Sequence, residues 1–301
     1  LNGGPLFGDV LRALAAQQDA PPMQLIVIDS GSTDGTVEAA RAAGAEVRAI
    51  PSRDFDHGLT RNAGIAAAQG EAVILMTQDA LPADAHLIAN LLRPLADETV
   101  AGVYARQIPR PDADVLVARN IREWLSGAAE RRVSHIHDRH RYERMKPMER
   151  YMFCVFDNVC SAVRKTAWER VPFRRNAFGE DIDWSKRALE AGYKIVYEPS
   201  AAVIHSHDRP AGYEYKRTYM CHQTLYRLFG LHTIPARRYL PRAWMTTIIR
   251  DAAYVMKHEP DRRKRWALLR RIPGLAYGSV MGQYRGARDE RQGESRRHTD
   301  V

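Results

Sequence analysis

With 301 residues, 45% of them apolar, the chain can bury one large α/β domain with an extension, or two small domains, and disorder is expected only at its far end. Three cysteines (Cys154, Cys160 and Cys221), odd in number and without a CxxC pair, argue against a disulfide scaffold or a zinc site and fit a reducing compartment, while no apolar run reaches transmembrane length and no signal peptide is expected. The net charge of +9 is lopsided: residues 231–301 hold 16 Lys and Arg against 7 Asp and Glu, whereas residues 1–230 balance at 29 of each, so the whole excess lies in the last quarter, where it suits anionic lipid headgroups or nucleic acid.

In chain order, the sequence opens at Leu1-Asn2-Gly3-Gly4 and enters a helical pattern from Phe7 to Leu14, as if a leading strand were lost or had never belonged to it. Gln24 to Ile28 is a short apolar strand ending in Asp29, and a helix runs from Thr33 to about Ala43 with Asp34 as a cap. Glu46 to Ile50 is a strand, Leu59 to Ala68 a helix and Ala72 to Met76 a buried strand; Asp84 caps a helix through Leu95, and Val100 to Gln107 returns as a strand. This alternation predicts a mostly parallel sheet covered on both faces. Beyond it, Asp112 to Ser126 reads as a helix, Ala129 to Met148 as a charged surface or lid segment, and Val155 to Val163 as a strand. Asp181 to Ala191 is a helix closed by Gly192, and short strands at Lys194 to Tyr197 and Ala202 to Ile204 flank Pro199. From Tyr213 onward the pattern is helical: Tyr213 to Phe229, about Ala236 to Lys257, and Arg262 to Leu269 with a continuation past Pro273; a frayed polar tail is expected after Arg285.

In open α/β sheets ligands bind beyond the carboxyl ends of the strands, and four polar clusters fall at such places. The first, Asp29-Ser30-Gly31-Ser32-Thr33-Asp34-Gly35-Thr36, offers small residues and a helix start to an anion or a ribose, although a plain capped turn would look similar. The second, Asp54 to Asn62, carries His57 as a cap or loop residue and Arg61 in a first helical turn, a poor place for the helix dipole and a good one for pairing with a diphosphate or base. The third is Thr77-Gln78-Asp79, where a carboxylate after an apolar strand can hold a divalent cation. The fourth, Phe178-Gly179-Glu180-Asp181-Ile182-Asp183-Trp184, gathers three acids at a helix start, which either cap the helix or supply a base. His205-Ser206-His207-Asp208 then follows a strand, placed to ligate a metal or bind phosphate.

Taken in order, Asp29…Asp34-Gly35-Thr36, Thr60-Arg61-Asn62, Gln78-Asp79, Glu180-Asp181 and His205-x-His207 resemble family 2 of the glycosyltransferases from residue 2 to about 230. Phe55-x-His57-Gly58-x-Thr60-Arg61-Asn62 and Thr77-Gln78-Asp79-Ala80 resemble its bacterial rhamnosyltransferase branch, which works in O-antigen and related cell-surface polysaccharide assembly. The resemblance implies an α/β GT-A fold, with a central mostly parallel sheet flanked by helices and a helical C-terminal extension. Family members have a strand before the Asn2-Gly3-Gly4 loop, which this chain lacks at its start. The catalytic domain would span residues 1–210, a basic helical extension 211–285 and a flexible polar tail 286–301.

The resemblance also implies roles. Asp29 takes the nucleobase, Asp34 supports its loop, and Ser30, His57, Arg61 and Gln78 join them at the donor. Asp79 matches the last acid of the DxD motif and holds Mg²⁺ or Mn²⁺, completed by His207 or His205; Asp181 matches the catalytic base, with Glu180 and Trp184 at the acceptor. Thr77 stands in place of the first DxD acid and Ser30 in place of the second acid of the first loop, so one metal ligand of the family pattern is missing. The implied reaction is inverting transfer of a sugar, L-rhamnose from dTDP-L-rhamnose, to a saccharide or lipid-linked acceptor. The implied location is the cytoplasm, peripheral on the inner face of the membrane.

For the basic C-terminal helices two readings stand open: a membrane-surface helix meeting a lipid-linked acceptor, or a subdomain packed on the sheet or on a second chain, giving a homodimer. Rival functions are the same fold with a UDP- or GDP-hexose donor, a nucleotidyltransferase, and a nucleic-acid-binding protein. The second would want a basic loop near the N-terminus, where residues 2–20 offer only Arg12, and the third lacks any zinc-finger, RRM-like or helix-turn-helix signature, so no nucleic-acid partner is expected.

Overall fold

The computed structural model of the chain describes residues 1–176, 178–207 and 210–293. The first half alternates α1 (Gly4–Ala15), β1 (Ile26–Asp29), α2 (Thr36–Ala42), β2 (Glu46–Ala49), α3 (His57–Ala67), β3 (Ala72–Met76), β4 (Leu81–Pro82), α4 (Leu87–Leu92) and β5 (Val100–Ile108). Then come α5 (Val115–Glu123), β6 (Arg132–Ser134), α6 (Arg139–Arg144), α7 (Pro147–Phe153), β7 (Cys160–Arg164), α8 (Lys165–Arg170), α9 (Glu180–Glu190) and β8 (Lys194–Ile204). Three helices close the description: α10 (Ala211–Phe229), α11 (Leu240–His258) and α12 (Arg262–Arg291).

Strands β1 and β2 pair in parallel, and a six-stranded sheet runs in the order β3-β7-β5-β8-β4, with β6 also on β8. Strand β7 is antiparallel to both β3 and β5, and β8 is parallel to β5, so β3, β5 and β8 point the same way. Their carboxyl ends, followed by Thr77, Pro109 and His205, therefore lie along one rim of the sheet, and the amino end of the reversed β7 meets them there. That rim is where polar ligands can reach backbone and side chains without unpicking the ladder.

Helix α9 is fastened to the sheet by Trp184, which is 0% exposed, packs against the rings of Phe156 and Phe173 and donates its Nε1–H to the Val171 carbonyl at 2.7 Å. Gly102 of β5 makes the room: a Cβ there would come within 2.9 Å of the indole. Trp184 is thus a core residue and touches no acceptor, which corrects its expected binding role. The local sequence favours the helix start, since Gly179 takes a left-handed φ of 79° and Glu180, Asp181 and Asp183 face the positive end of the helix dipole. Arg187 closes on Asp183 at 2.9 Å within the same helix, away from any ligand role.

Three segments differ from the sequence reading. Residues 129–148 are no lid, because β6 pairs with β8, Tyr142 of α6 is buried and the Ser134 hydroxyl donates to the Phe153 carbonyl at 2.7 Å. Residues 194–204 form one strand with a register shift against β5, so Pro199 is absorbed as an irregularity and does not divide it. Helix α12 continues to Arg291, past the expected start of the frayed tail at 286; residues 294–301 lie outside the described residues.

The continuation of α12 has a steric cause. Gly274, Gly278, Gly282 and Gly286 recur every fourth residue and share one face, which lies against α10. A Cβ on Gly278 would approach the Ala211 carbonyl oxygen to 2.7 Å, and one on Gly286 would approach that of Tyr219 to 2.3 Å. The two backbones touch, and the obstacles are carbonyls that cannot swing aside. Gly286→Leu should therefore destabilise the fold by about 2–3 kcal/mol, read as an earlier midpoint in urea; an unchanged midpoint would show that the helix contact contributes little.

Candidate active site

The first loop orders itself. Asp29 Oδ2 accepts the backbone N–H groups of Gly31 and Ser32, each at 2.9 Å, and Oδ1 takes the Ser32 hydroxyl. Burial pushes the Asp29 carboxyl up, but these three donors outweigh it and hold its pKa below the ordinary value. Asp34 joins the loop to α1, accepting from Gly4 N–H at 2.9 Å and from Thr36 N–H at 3.2 Å. Position 35, not 34, is the N-cap of α2. Ser30 is buried beside Asp29, while Gln78 is exposed and exchanges hydrogen bonds with Leu1 at 3.0 Å.

Helix α3 brings the second motif. Asp56 caps it by accepting from Leu59 N–H at 2.9 Å, so His57 is the first helical residue and not the cap. Asn62 is structural: its amide accepts from Trp168 Nε1–H at 2.7 Å and donates to the Phe173 carbonyl at 2.8 Å, tying α3 to the segment that leads into α9. Gly58 permits that approach, since a Cβ there would lie 2.1 Å from the Arg174 carbonyl oxygen. Arg61 reaches Glu180 at 2.9 Å. Glu180 also accepts from Asn158 at 3.3 Å and is 6% exposed, so its carboxylate is buried and held by Arg61 and Asn158, and the Arg61 charge is already answered. The burial of Glu180 departs from its expected placing at the acceptor, and Arg61, expected at the donor, is paired with Glu180.

At the rim of the sheet, Asp79 Oδ2 lies 3.2 Å from His207 Nε2 and 3.5 Å from His205 Nε2, and the two imidazole nitrogens are 3.0 Å apart. Arg110, two residues past β5, reaches the Asp79 carboxylate at 3.4 Å and donates to its carbonyl at 3.1 Å. Behind His205, Nδ1 meets Gln107 Oε1 at 3.0 Å, and Gln107 Nε2 donates to Asp157 Oδ2. A carboxylate needs a donor, so the amide nitrogen of Gln107 faces Asp157 and its oxygen faces the histidine. An amide oxygen only accepts, so Nδ1 of His205 carries a proton and Nε2 is the ring nitrogen directed at Asp79 and His207.

Acceptor atoms this close repel unless a proton or a cation lies among them. One ligand atom from each of Asp79, His205 and His207 lies within 4.8 Å of the others, a set of one oxygen and two nitrogens that fits a divalent cation. The orphaned hydroxyl of Thr77, buried with no hydrogen-bond partner, adds a polar atom that the protein itself does not satisfy. Asp208, the last residue of the histidine segment, lies outside the described residues.

Asp157 connects the two acid clusters. Burial raises its pKa, opposed by the Val159 N–H, a Ser126 hydroxyl and the charge of Arg217. Asp181, half-buried, has its pKa pushed well up, first by burial and then by the charges of Glu180 and Asp157, against which the Ile182 N–H at 2.8 Å and Arg61 act only in part. A run of contacts thus passes from Asp79 through His205 and Gln107 to Asp157, whose charge Asp181 feels. Sequence reasoning missed Gln107, Arg110, Asp157 and Asn158. A polar pair inside the apolar run 155–163 was the available signal for the last two, and their position just after a strand end was the signal for Arg110.

Residues 1–172 match the family described as Glycosyl transferase family 2. The chain is 33% identical over 222 residues to the O-antigen chain rhamnosyltransferase RfbN of Salmonella typhimurium, covering 72% of this chain and 67% of that one. It is 29% identical over 224 residues to the N-acetylglucosaminyl-diphospho-decaprenol L-rhamnosyltransferase of Mycobacterium tuberculosis, covering 67% and 72%. Among solved structures, the mannosyltransferase PcManGT from Pyrobaculum calidifontis, in complex with GDP-Man and Mn²⁺, is similar with a TM-score of 0.56 at 18% identity, over 92% of this chain and 83% of that one. The architecture is the GT-A fold of glycosyltransferases, α/β with a helical C-terminal region. The chain belongs to glycosyltransferase family 2 and is a transferase enzyme.

Proposed function

We propose that this enzyme transfers L-rhamnose from dTDP-L-rhamnose to a saccharide or lipid-linked acceptor in cell-surface polysaccharide assembly, with inversion at the anomeric carbon. The sugar is suggested by the rhamnosyl activity in the names of its relatives. The observation that carries the mechanism is the run of contacts from Asp79 through His205 and Gln107 to Asp157, whose charge acts on Asp181.

In this reading Asp181 takes the proton of the acceptor hydroxyl as its oxygen attacks the anomeric carbon, while the bond to the diphosphate oxygen breaks on the opposite face. Glu180, held by Arg61 and Asn158, keeps Asp181 in place and raises its basicity. The Asp29 and Asp34 loop receives the nucleoside. Asp79, His205 and His207 would hold Mg²⁺ or Mn²⁺, which supplies positive charge at the leaving diphosphate. Two imidazoles in the set favour Mn²⁺.

The test is titration calorimetry and turnover with dTDP-L-rhamnose, UDP-glucose and GDP-mannose, each with Mn²⁺. The expected result is tightest binding and release of dTDP only with the rhamnosyl donor. Preference for either hexose donor would keep the mechanism and remove the sugar; binding of none would remove both.

A further inference from the structure

We propose that the outer face of the C-terminal hairpin, α11 followed by α12, is a docking surface for an anionic lipid bilayer. The inference goes beyond the transfer reaction and holds whichever sugar is moved. On α11, Met245, Ile249 and Met256 are 49%, 61% and 53% exposed, and their spacing of four and seven residues puts them on one face with the exposed Ala253. Arg242 and Lys257 are exposed on the same side. The sole acid of this helix, Asp251, is turned inward and held by Arg119 at 2.9 Å.

Helix α12 repeats the pattern. Trp266 and Tyr277, 61% and 56% exposed, lie three turns apart on one stripe, with Arg262, Arg263 and Arg270 exposed beside them. The first acid in α12 is Asp289. The helices are joined by residues 259–261 and Trp244 Nε1 donates to the Pro273 carbonyl at 3.0 Å, so they run side by side in opposite directions and the two stripes lie at neighbouring levels of the hairpin.

Large aliphatic and indole groups in the middle and arginines at the flank match the acyl boundary and phosphate layer of a membrane interface. Among the described residues no helix is long and apolar enough to cross a bilayer, and these stripes suit helices that lie along its surface. A second copy of the chain fits the face less well. An isologous contact would bring these arginines against one another, with no carboxylate on the exposed stripes to answer them.

The experiment is flotation of the full chain with vesicles of phosphatidylcholine alone and of phosphatidylcholine mixed with phosphatidylglycerol. Two surface variants are compared, Ile249→Ser with Trp266→Ser, and Arg242→Glu with Arg270→Glu, each checked for an unchanged melting temperature. The wild type should float with the anionic vesicles and be released by salt, and either variant should partition roughly tenfold or more weakly. If one pair fails to fold, the other decides. The proposal falls if the wild type stays behind with both vesicles, floats equally with both, or floats no better than the variants. It also falls if the aliphatic-aromatic variant converts a dimer to a monomer in sedimentation while flotation is unaffected.

Discussion

Asp181→Asn is expected to lower turnover by about 10²–10⁴-fold, the usual loss when a well-placed general base is removed, while dTDP-L-rhamnose binding stays near the wild-type value. The same substitution should stabilise the protein, and the sign follows from the raised pKa. A carboxyl whose pKa is higher in the folded than in the unfolded chain keeps its proton in the fold at pH values where the unfolded chain has released it. Stability is then greatest below the ordinary carboxylate range and declines as pH climbs from there through the raised value. An asparagine carries no such liability. At about pH 8 the variant should therefore melt above the wild type, and near pH 4 the two should converge. Loss of activity with a lower melting temperature at every pH would point to a damaged fold, and a variant that turned over normally would remove Asp181 from the mechanism. In the wild type, turnover should rise with pH through a window above that of an ordinary carboxylate, because the base must first shed its proton.

The second large effect concerns the cation. Asp79→Ala, or removal of divalent ions by EDTA, should cost about 10²–10³-fold in rate by analogy with other losses of charge stabilisation at a leaving oxygen. Mn²⁺ should restore the EDTA-treated wild type better than Mg²⁺ and leave Asp79→Ala impaired. Gln107→Leu separates ligand from support. Gln107 is not among the three groups that could hold the ion, but it is the acceptor that fixes a proton on His205 Nδ1. Mn²⁺ affinity, read by electron paramagnetic resonance of the free ion, should fall about 10–100-fold. Full activity of all these proteins in EDTA would mean that Arg110 and the histidines act without a metal.

Much of the site was legible because its carriers are local. Asp79 closely follows an apolar strand, the Asp29 loop is bounded by a strand and a helix, and Glu180-Asp181 opens a helix after a glycine, each a pattern readable in a few consecutive residues. What escaped depends on long-range pairing. Asp157 and Asn158 matter because β7 inserts backwards between β3 and β5 and delivers its starting end to the rim; within the sequence they were absorbed into an apolar run read as one strand. Trp184 was misplaced for a related reason. A helix pattern shows which residues share a face, but only Gly102 on a distant strand shows that the indole faces the sheet. The histidines were legible as a pair: residues two apart at the end of a strand point to the same side, and although the strand stops at Ile204, both rings turn to Asp79. The four-residue rhythm of glycines in α12 was present from the start, hidden in a stretch examined for its arginines.

That rhythm gives the C-terminal helix a reach beyond its own length. Helix α10, on which it lies, starts four residues after His207, and near its other end the Thr224 hydroxyl donates to the Phe178 carbonyl at 2.8 Å, two residues before Glu180. One rigid rod therefore spans the distance between the imidazole pair and the acid pair, and α12 is the splint along it. An enzyme trimmed after Gly230 would keep every residue assigned to chemistry and still let the two halves of its reaction chamber drift apart.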